Sequence, residues 1–238
     1  AGVEQPATLA GQTARRLRHD IITLAFQPDE RLTFAKLAKA YGVGTSPLRE
    51  ALFMVAGDGL VLAEENRGFR VAPIDVDEML DISTLRAQLE AEALQRSIAL
   101  GGDAWEAALV SADHRLNKAT RRVRAARGED AVVQAAEEWE QWHRALHTTL
   151  CSACGSPWLL RFIGILYEHL ERYRRYFWSY VQRVDGADAE HGQIVEAALA
   201  RDADRAIALL KAHFQTQAEL SLQAGDSAQA LRTREGPP

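Results

Sequence analysis

Two short apolar patterns joined at Gly42 constrain this chain more than any other feature. Phe34, Leu37, Ala38 and Tyr41 recur at helical intervals, and Gly42 follows where a left-handed residue can end a helix. Val43 can then pack inward. A second helix is expected to begin at Thr45 or Ser46, either of which can cap it. Pro47 is tolerated in its first turn, because the missing N–H would have no intrahelical partner there. Leu48, Leu52 and Val55 form its buried face, and the pair reads as a helix-turn-helix. The opposite face presents Thr45, Ser46 and Arg49 near the helix N-terminus, where backbone N–H groups favour a phosphate and short polar side chains can approach base edges.

Two β-prone runs follow, Gly59-Leu60-Val61-Leu62 and Phe69-Arg70-Val71, separated by Ala63 to Gly68. They predict a small hairpin, a wing, with a tip around Asn66, Arg67 and Gly68 and with Arg67 exposed there. The helix pair alone also fits any small helical domain; the wing behind it favours a DNA-reading head. A formal net charge of −5 would argue against nucleic acid if it were evenly spread. It is not: Arg15, Arg16, Arg18, Arg31, Lys36, Lys39 and Arg49 crowd the first fifth of the chain, and the acidic surplus lies downstream.

Residues 1–74 are thus expected to form the head, 75–225 a second domain and 226–238 a polar tail without regular structure. From Asp77 onward the pattern is almost wholly helical. Met79, Ile82, Leu85, Leu89 and Leu94 define an apolar face, Gly101-Gly102 a stop and Asp103 a cap for a segment reaching Arg127. Gly128 to Asp130 breaks the pattern, Ala131 to Ala153 is the next helix, and Ser156-Pro157 starts a long one to about Arg183, ended by Asp185-Gly186. Helices over Ala187–Ala200 and Asp202–Gln223 complete an antiparallel bundle. The fold class is therefore mainly α, a winged helix-turn-helix followed by an all-α bundle. No apolar run approaches the ~20 residues of a membrane span, so a cytoplasmic protein without a membrane partner is expected. Cys151 and Cys154 form a lone CxxC with neither a second ligand pair nor a βαβ context, which favours a structural role.

Inside the bundle, His143 and His147 are four residues apart and share a helix face, while His191 and His213 lie on the last two helices, spaced so that an antiparallel pair can bring them together. Four imidazoles would suit zinc, nickel or another borderline divalent ion. The same spacing also fits a hydrogen-bonded or surface pair. Arg86, Arg172 and Arg174 are the guanidinium groups that could hold a carboxylate, although Arg172 and Arg174, two apart, cannot both face one cavity.

The strings Gly42-Val43-Gly44-Thr45-Ser46-Pro47-Leu48-Arg49-Glu50-Ala51-Leu52, Asp58-Gly59-Leu60-Val61 and Asn66-Arg67-Gly68-Phe69-Arg70-Val71 resemble the head of the GntR family of bacterial transcription regulators. The resemblance implies base or phosphate contacts from Thr45, Ser46 and Arg49 and wing contacts from Arg67 and Gly68. Many members carry Arg where this chain has Thr45. The helical part is similar to the FCD effector domain of the FadR subgroup, through Leu85-Arg86, Glu90, His147, Gly155, Glu190-His191 and Ala212-His213. That likeness implies a homodimer and a divalent metal held by one acidic residue and three histidines, with His147, His191 and His213 on the histidine positions and His143 on the acidic one. It also implies a small carboxylate effector gripped by the metal and an inward arginine, Arg86 or Arg172. A narrower likeness, carried by Phe26 to Glu30, Ala99 to Glu106 and His143 to His147, is to a repressor of glutarate and carbon-starvation genes, which implies a dicarboxylate such as glutarate.

The reading is a ligand-responsive repressor acting on a double-stranded DNA operator, with no catalytic residues. Two alternatives stay open: a helical metalloenzyme, for which neither Glu140 nor Glu190 is fixed as a base, and a DNA-binding protein with a purely structural metal.

Overall fold

A computed structural model describes residues 8–65, 67–177 and 187–234. Two compact units emerge, Ala1–Asp75 with Glu171–Tyr176, and Val76–Leu170 with Phe177–Pro238.

The first unit begins with α1 (Leu9–Ile22), capped by the Thr8 hydroxyl, which accepts from the Gly11 N–H. A two-residue strand β1 (Arg31–Leu32), too short for sequence periodicity to reveal, precedes α2 (Phe34–Tyr41) and α3 (Thr45–Gly57). β2 (Val61–Glu64) and β3 (Gly68–Val71) form the wing hairpin, and β1 joins its far side, giving an antiparallel order β1-β3-β2. The expected turn falls between β2 and β3; its Asn66 lies outside the described residues. Thr33 caps α2, and Gly42 ends it at φ +67°, φ/ψ values at which a side chain is strained. Contrary to expectation, neither Thr45 nor Ser46 caps α3: both are already helical, and Gly44 precedes them without a side-chain bond. Leu48, Leu52 and Val55 are fully buried with Ala51 against Leu17, Ile21, Leu37 and Val71. Each such aliphatic side chain contributes about 1.5–3 kcal/mol.

The second unit contains α4 (Val76–Leu100), α5 (Asp103–Ala125), α6 (Glu129–Cys151), most of α7 (Pro157–Phe177), α8 (Ala187–Leu199) and α9 (Ala203–Arg234). Helix α5 packs on α6 and α8, and α9 packs on α4 and α8. Gly102 rather than Asp103 precedes α5, and Asp103 is its first residue. The break before α6 runs from Ala126 to Gly128, with Gly128 at φ +84°, and Glu129 and Asp130 are already helical. Ser156 caps α7 as expected, its Oγ accepting from the Leu159 N–H, whereas the expected end at Arg183 and the Asp185-Gly186 break lie outside the described residues. Asp202 caps α9 through the Arg205 N–H. That helix does not stop near Gln223: it continues to Arg234, so the segment after 225 is helical where an irregular tail was expected. Ala, Gln, Leu and Arg are good helix formers, and one interior glycine costs only about 1 kcal/mol.

The expected face of α4 also needs correction. Met79, Ile82 and Leu94 are buried, but Leu85 is 43% exposed and its neighbour Arg86 is buried with Glu90. The helix is turned so that a charged pair, not a leucine, faces inward. Cys151 and Cys154 are free thiols buried against Ala93 and Ile163; burial pushes the Cys151 thiol upward, which suits a packing role.

Candidate metal centre and nucleic-acid interface

On the head, Thr45, Ser46 and Arg49 are exposed along one side of α3, opposite its buried leucines. The Ser46 hydroxyl lies 3.4 Å from a Glu50 carboxylate oxygen, and the Arg49 guanidinium sits 5.4 Å from the Phe34 ring centroid. The wing is fixed to this helix by Phe69, whose ring packs edge-on against Phe34 and Phe53 at 6.2 and 5.2 Å. Arg67 and Gly68 are exposed at its tip, Gly68 at φ +88°. Arg70, on the strand behind them, is held by Glu64. Of the basic residues in this unit, Arg18 and Lys36 are paired with Asp58 and Glu30. Arg15, Arg31 and Lys39 are exposed and carry no ion pair among the described residues, which leaves them available for phosphates.

Within the bundle, α6 supplies His143 and His147 one turn apart, α8 supplies His191 and α9 supplies His213. All four are buried, and one nitrogen from each lies within 4.8 Å of the others. What surrounds them fixes which nitrogen is offered. His147 Nδ1 is 2.8 Å from Glu90 Oε2, and His213 Nδ1 is 2.7 Å from Glu190 Oε2. An ionised carboxylate can only accept, so both Nδ1 atoms carry a proton, and in a neutral imidazole so held the lone pair is on Nε2. His143 Nδ1 meets the Tyr167 hydroxyl at 2.8 Å, while its ring stacks on Trp139 at 4.6 Å. Outer partners that lock the imidazole orientation in this way are what a metal-binding histidine requires.

The charges agree with that assignment. Burial pushes the His147 imidazole down to about 4 despite the pull of Glu90, so it is neutral. Burial alone would raise Glu90, but the charge of Arg86 and the hydrogen bond from His147 hold its carboxyl at about 2. His147 Nε2 and His191 Nε2 are 3.3 Å apart. Two nitrogens bound about 2.0–2.1 Å from one tetrahedral ion stand about 3.3–3.4 Å apart, so this pair already has the spacing an ion imposes. The donor set is all nitrogen, which fits a borderline divalent ion and not calcium or magnesium.

Arg86 completes the centre. Its Nε donates to Glu90 Oε1 at 2.7 Å, and the guanidinium lies over Tyr167 at 4.4 Å and Phe214 at 5.0 Å. Its Nη2, 2.6 Å from the same oxygen but outside hydrogen-bond geometry, has no acceptor. Arg172 is directed elsewhere: it donates to the carbonyls of Ala72 and, at 2.7 Å, Pro73. Arg174 is buried as well. The structure therefore brings together Arg86 and the four histidines but uses Arg172 on backbone. Sequence reasoning gave no role to Tyr167, and it named Glu90 and Glu190 only within the FCD likeness, with Glu190 also weighed as a base, not as partners of the histidines. Glu90 had a readable signal, a charge four residues after Arg86 on the apolar side of α4; Tyr167 had none.

Residues 9–71 match the gntR family of bacterial regulatory proteins, and residues 81–216 match the FCD domain. The chain is 36% identical to the uncharacterized HTH-type transcriptional regulator BphR of Paraburkholderia xenovorans (strain LB400), over 92% of this chain and 87% of that one. It is likewise 36% identical to the HTH-type transcriptional repressor GlaR of Escherichia coli (strain K12), over 88% and 94%. Among solved structures, E. coli McbR/YncC shares its fold with a TM-score of 0.75 at 18% identity, covering 92% of this chain and 99% of that one. A GntR regulator from Rhodococcus sp. RHA1 gives 0.74 at 19%, covering 90% and 98%.

Proposed function

The chain belongs to the GntR family of bacterial regulatory proteins and carries an FCD domain, and from that premise we propose that it is a homodimeric, metal-containing repressor released from its operator by a small organic acid. Its relatives are transcription regulators rather than enzymes, which removes the metalloenzyme alternative. No helix among the described residues is long and apolar enough to cross a membrane, in keeping with a cytoplasmic regulator.

The single observation that carries the sensing half is the buried Arg86–Glu90–His147 chain, which joins a cationic side chain with an unfilled donor to one of four converging histidines. His143, His147, His191 and His213 would hold the ion, zinc or nickel. Once bound, it supplies a positive charge that can take a carboxylate oxygen. Arg86 supplies a second contact through Nη2, and Tyr167 and Phe214 keep water from that contact. A dicarboxylate such as glutarate is the proposed effector class, in line with the 36% identity to the repressor GlaR.

On the DNA side, Thr45, Ser46 and Arg49 would enter the major groove and Arg67 and Gly68 would follow the adjacent backbone, each head of the dimer reading one half-site. Thr45 offers a short hydroxyl, so Arg49 and the wing carry more of the recognition. For the acid to regulate, it must favour one arrangement of the two heads over another.

A gel-shift assay on the promoter next to the chain's own gene, with C4 to C6 dicarboxylates added one at a time, tests the proposal. The metal-loaded protein should retard the fragment and one acid should release it. Failure to bind any neighbouring promoter, with or without acid, overturns it. Retardation that no acid alters, from a protein that unfolds when stripped of metal, would make the ion purely structural.

A further inference from the structure

We propose that the cavity between α4 and α9 receives the second, distal carboxylate of the effector, with Lys211 as the side chain that selects dicarboxylates over monocarboxylates. The inference rests on the organic-acid reading above and adds to it a position and a specificity residue.

The cavity has a volume of about 390 Å3, with Ser83, Thr84 and Gln88 on α4 and Lys211, Phe214 and Gln215 on α9 among its lining residues. That is within the range of small-molecule sites, about 300–1,000 Å3. None of its lining side chains is acidic. Lys211 is exposed and has no ion pair among the described residues, so its ammonium is the one cation of the lining. Gln215 donates to Glu219 at 3.0 Å, which leaves Gln88 as the amide able to turn toward a ligand.

What connects this cavity to the metal centre is a single ring. Phe214 lines the cavity and is itself buried, and it also lies 5.0 Å from the Arg86 guanidinium and 6.0 and 5.7 Å from the rings of His147 and His213. Ser83, Thr84 and Ala87 flank Arg86 along α4 and line the same cavity. Arg86, whose Nη2 donor lacks an acceptor, contacts this ring, and Lys211 lines the cavity that the ring borders. Two cationic groups that border one aromatic ring match a molecule with a carboxylate at each end and a short apolar chain between. An amino acid of equal length fits worse, because its ammonium would meet Lys211 with no carboxylate in the lining to receive it.

Calorimetric titration of the metal-loaded full chain with glutarate and pentanoate, acids of equal length that differ by one carboxylate, tests this. The unaltered protein should bind glutarate at least tenfold more tightly. Lys211→Gln should reduce that preference tenfold or more without changing pentanoate affinity or metal content, and Lys211→Arg should restore it. An unchanged preference in Lys211→Gln, or an equal loss for both acids, overturns the inference. Equal binding of both acids by the unaltered protein also overturns it but leaves the organic-acid reading standing, whereas no heat from either acid removes both.

Discussion

The head and the bundle place their chemistry in opposite ways. In the head, Thr45, Ser46, Arg49, Arg67 and Gly68 are all exposed and lie close together along the chain, carried by a core of leucines that takes no part in contact. In the bundle, Arg86, Glu90, His143, His147, His191 and His213 are buried and come from four helices distributed over the whole unit. A surface reader needs a rigid support and free side chains. A buried polar centre needs every member in place, since each polar group there has lost water and depends on its neighbours. Removing one side chain should therefore affect function alone in the head, but folding together with function in the bundle.

The largest effect tests that contrast directly. Glu90→Ala leaves Arg86 buried without its counter-charge and His147 without its Nδ1 acceptor, and should destabilise the bundle by about 3–5 kcal/mol. All five tryptophans lie beyond residue 100, so urea unfolding followed by tryptophan fluorescence reports on the bundle and not the head. An unchanged midpoint would mean that the buried pair adds nothing to stability and that the two regions differ less than their burial implies.

Arg49→Ala is the counterpart in the head. Arg49 has no buried partner, so folding and metal content should be unaltered, while operator affinity falls by about 1–3 kcal/mol per half-site. Fluorescence anisotropy with a labelled promoter fragment measures the loss. A drop in thermal stability alongside it would show that the arginine is part of the fold through its contact with Phe34.

Glu190→Gln, next in size, probes the outer partners of the metal centre. The amide can still meet His213 Nδ1 but no longer enforces the tautomer, and metal affinity should weaken about 10- to 100-fold in competition with a chromogenic chelator. The same substitution should leave urea stability of the metal-free protein almost unchanged, because the Glu190 side chain is 31% exposed. Glu90 and Glu190 thus separate a supporting group that holds the fold from one that only orients a ligand.

This division also explains what could be read before the fold was known. The helix-turn-helix was legible because its signals are local: the Phe34 to Tyr41 spacing, Gly42, and Leu48, Leu52 and Val55 within one short stretch. The histidines were legible as candidates because four of them sit at helical positions, but their convergence depends on how α6, α8 and α9 pack, which spacing does not dictate. The orientation of α4 was misjudged for a physical reason. Hydrophobic periodicity assumes that leucine faces inward, and at Leu85 and Arg86 the polar centre reverses that preference. Tyr167 escaped because a tyrosine on an apolar helix face looks like core until its hydroxyl is seen beside His143. The short strand β1 escaped because two residues have no period.

The smallest predicted effect lies at Gly42, where conformation is the sole constraint. A Cβ added there meets nothing within 4 Å, so no clash arises, but the residue sits at φ +67°. Left-handed backbone costs an ordinary residue about 1–2 kcal/mol, and alanine regains part of this by restricting the unfolded chain. Gly42→Ala should therefore destabilise the head by about 1 kcal/mol, a shift of about 4–8 °C for a unit of this size. Gly42→Asn should shift it less, since asparagine enters this region more readily. Differential scanning calorimetry resolves the head transition from that of the bundle if the two unfold separately. A loss well above 1 kcal/mol would mean that the turn responds to more than backbone conformation and that the head, like the bundle, depends on tightly coupled contacts.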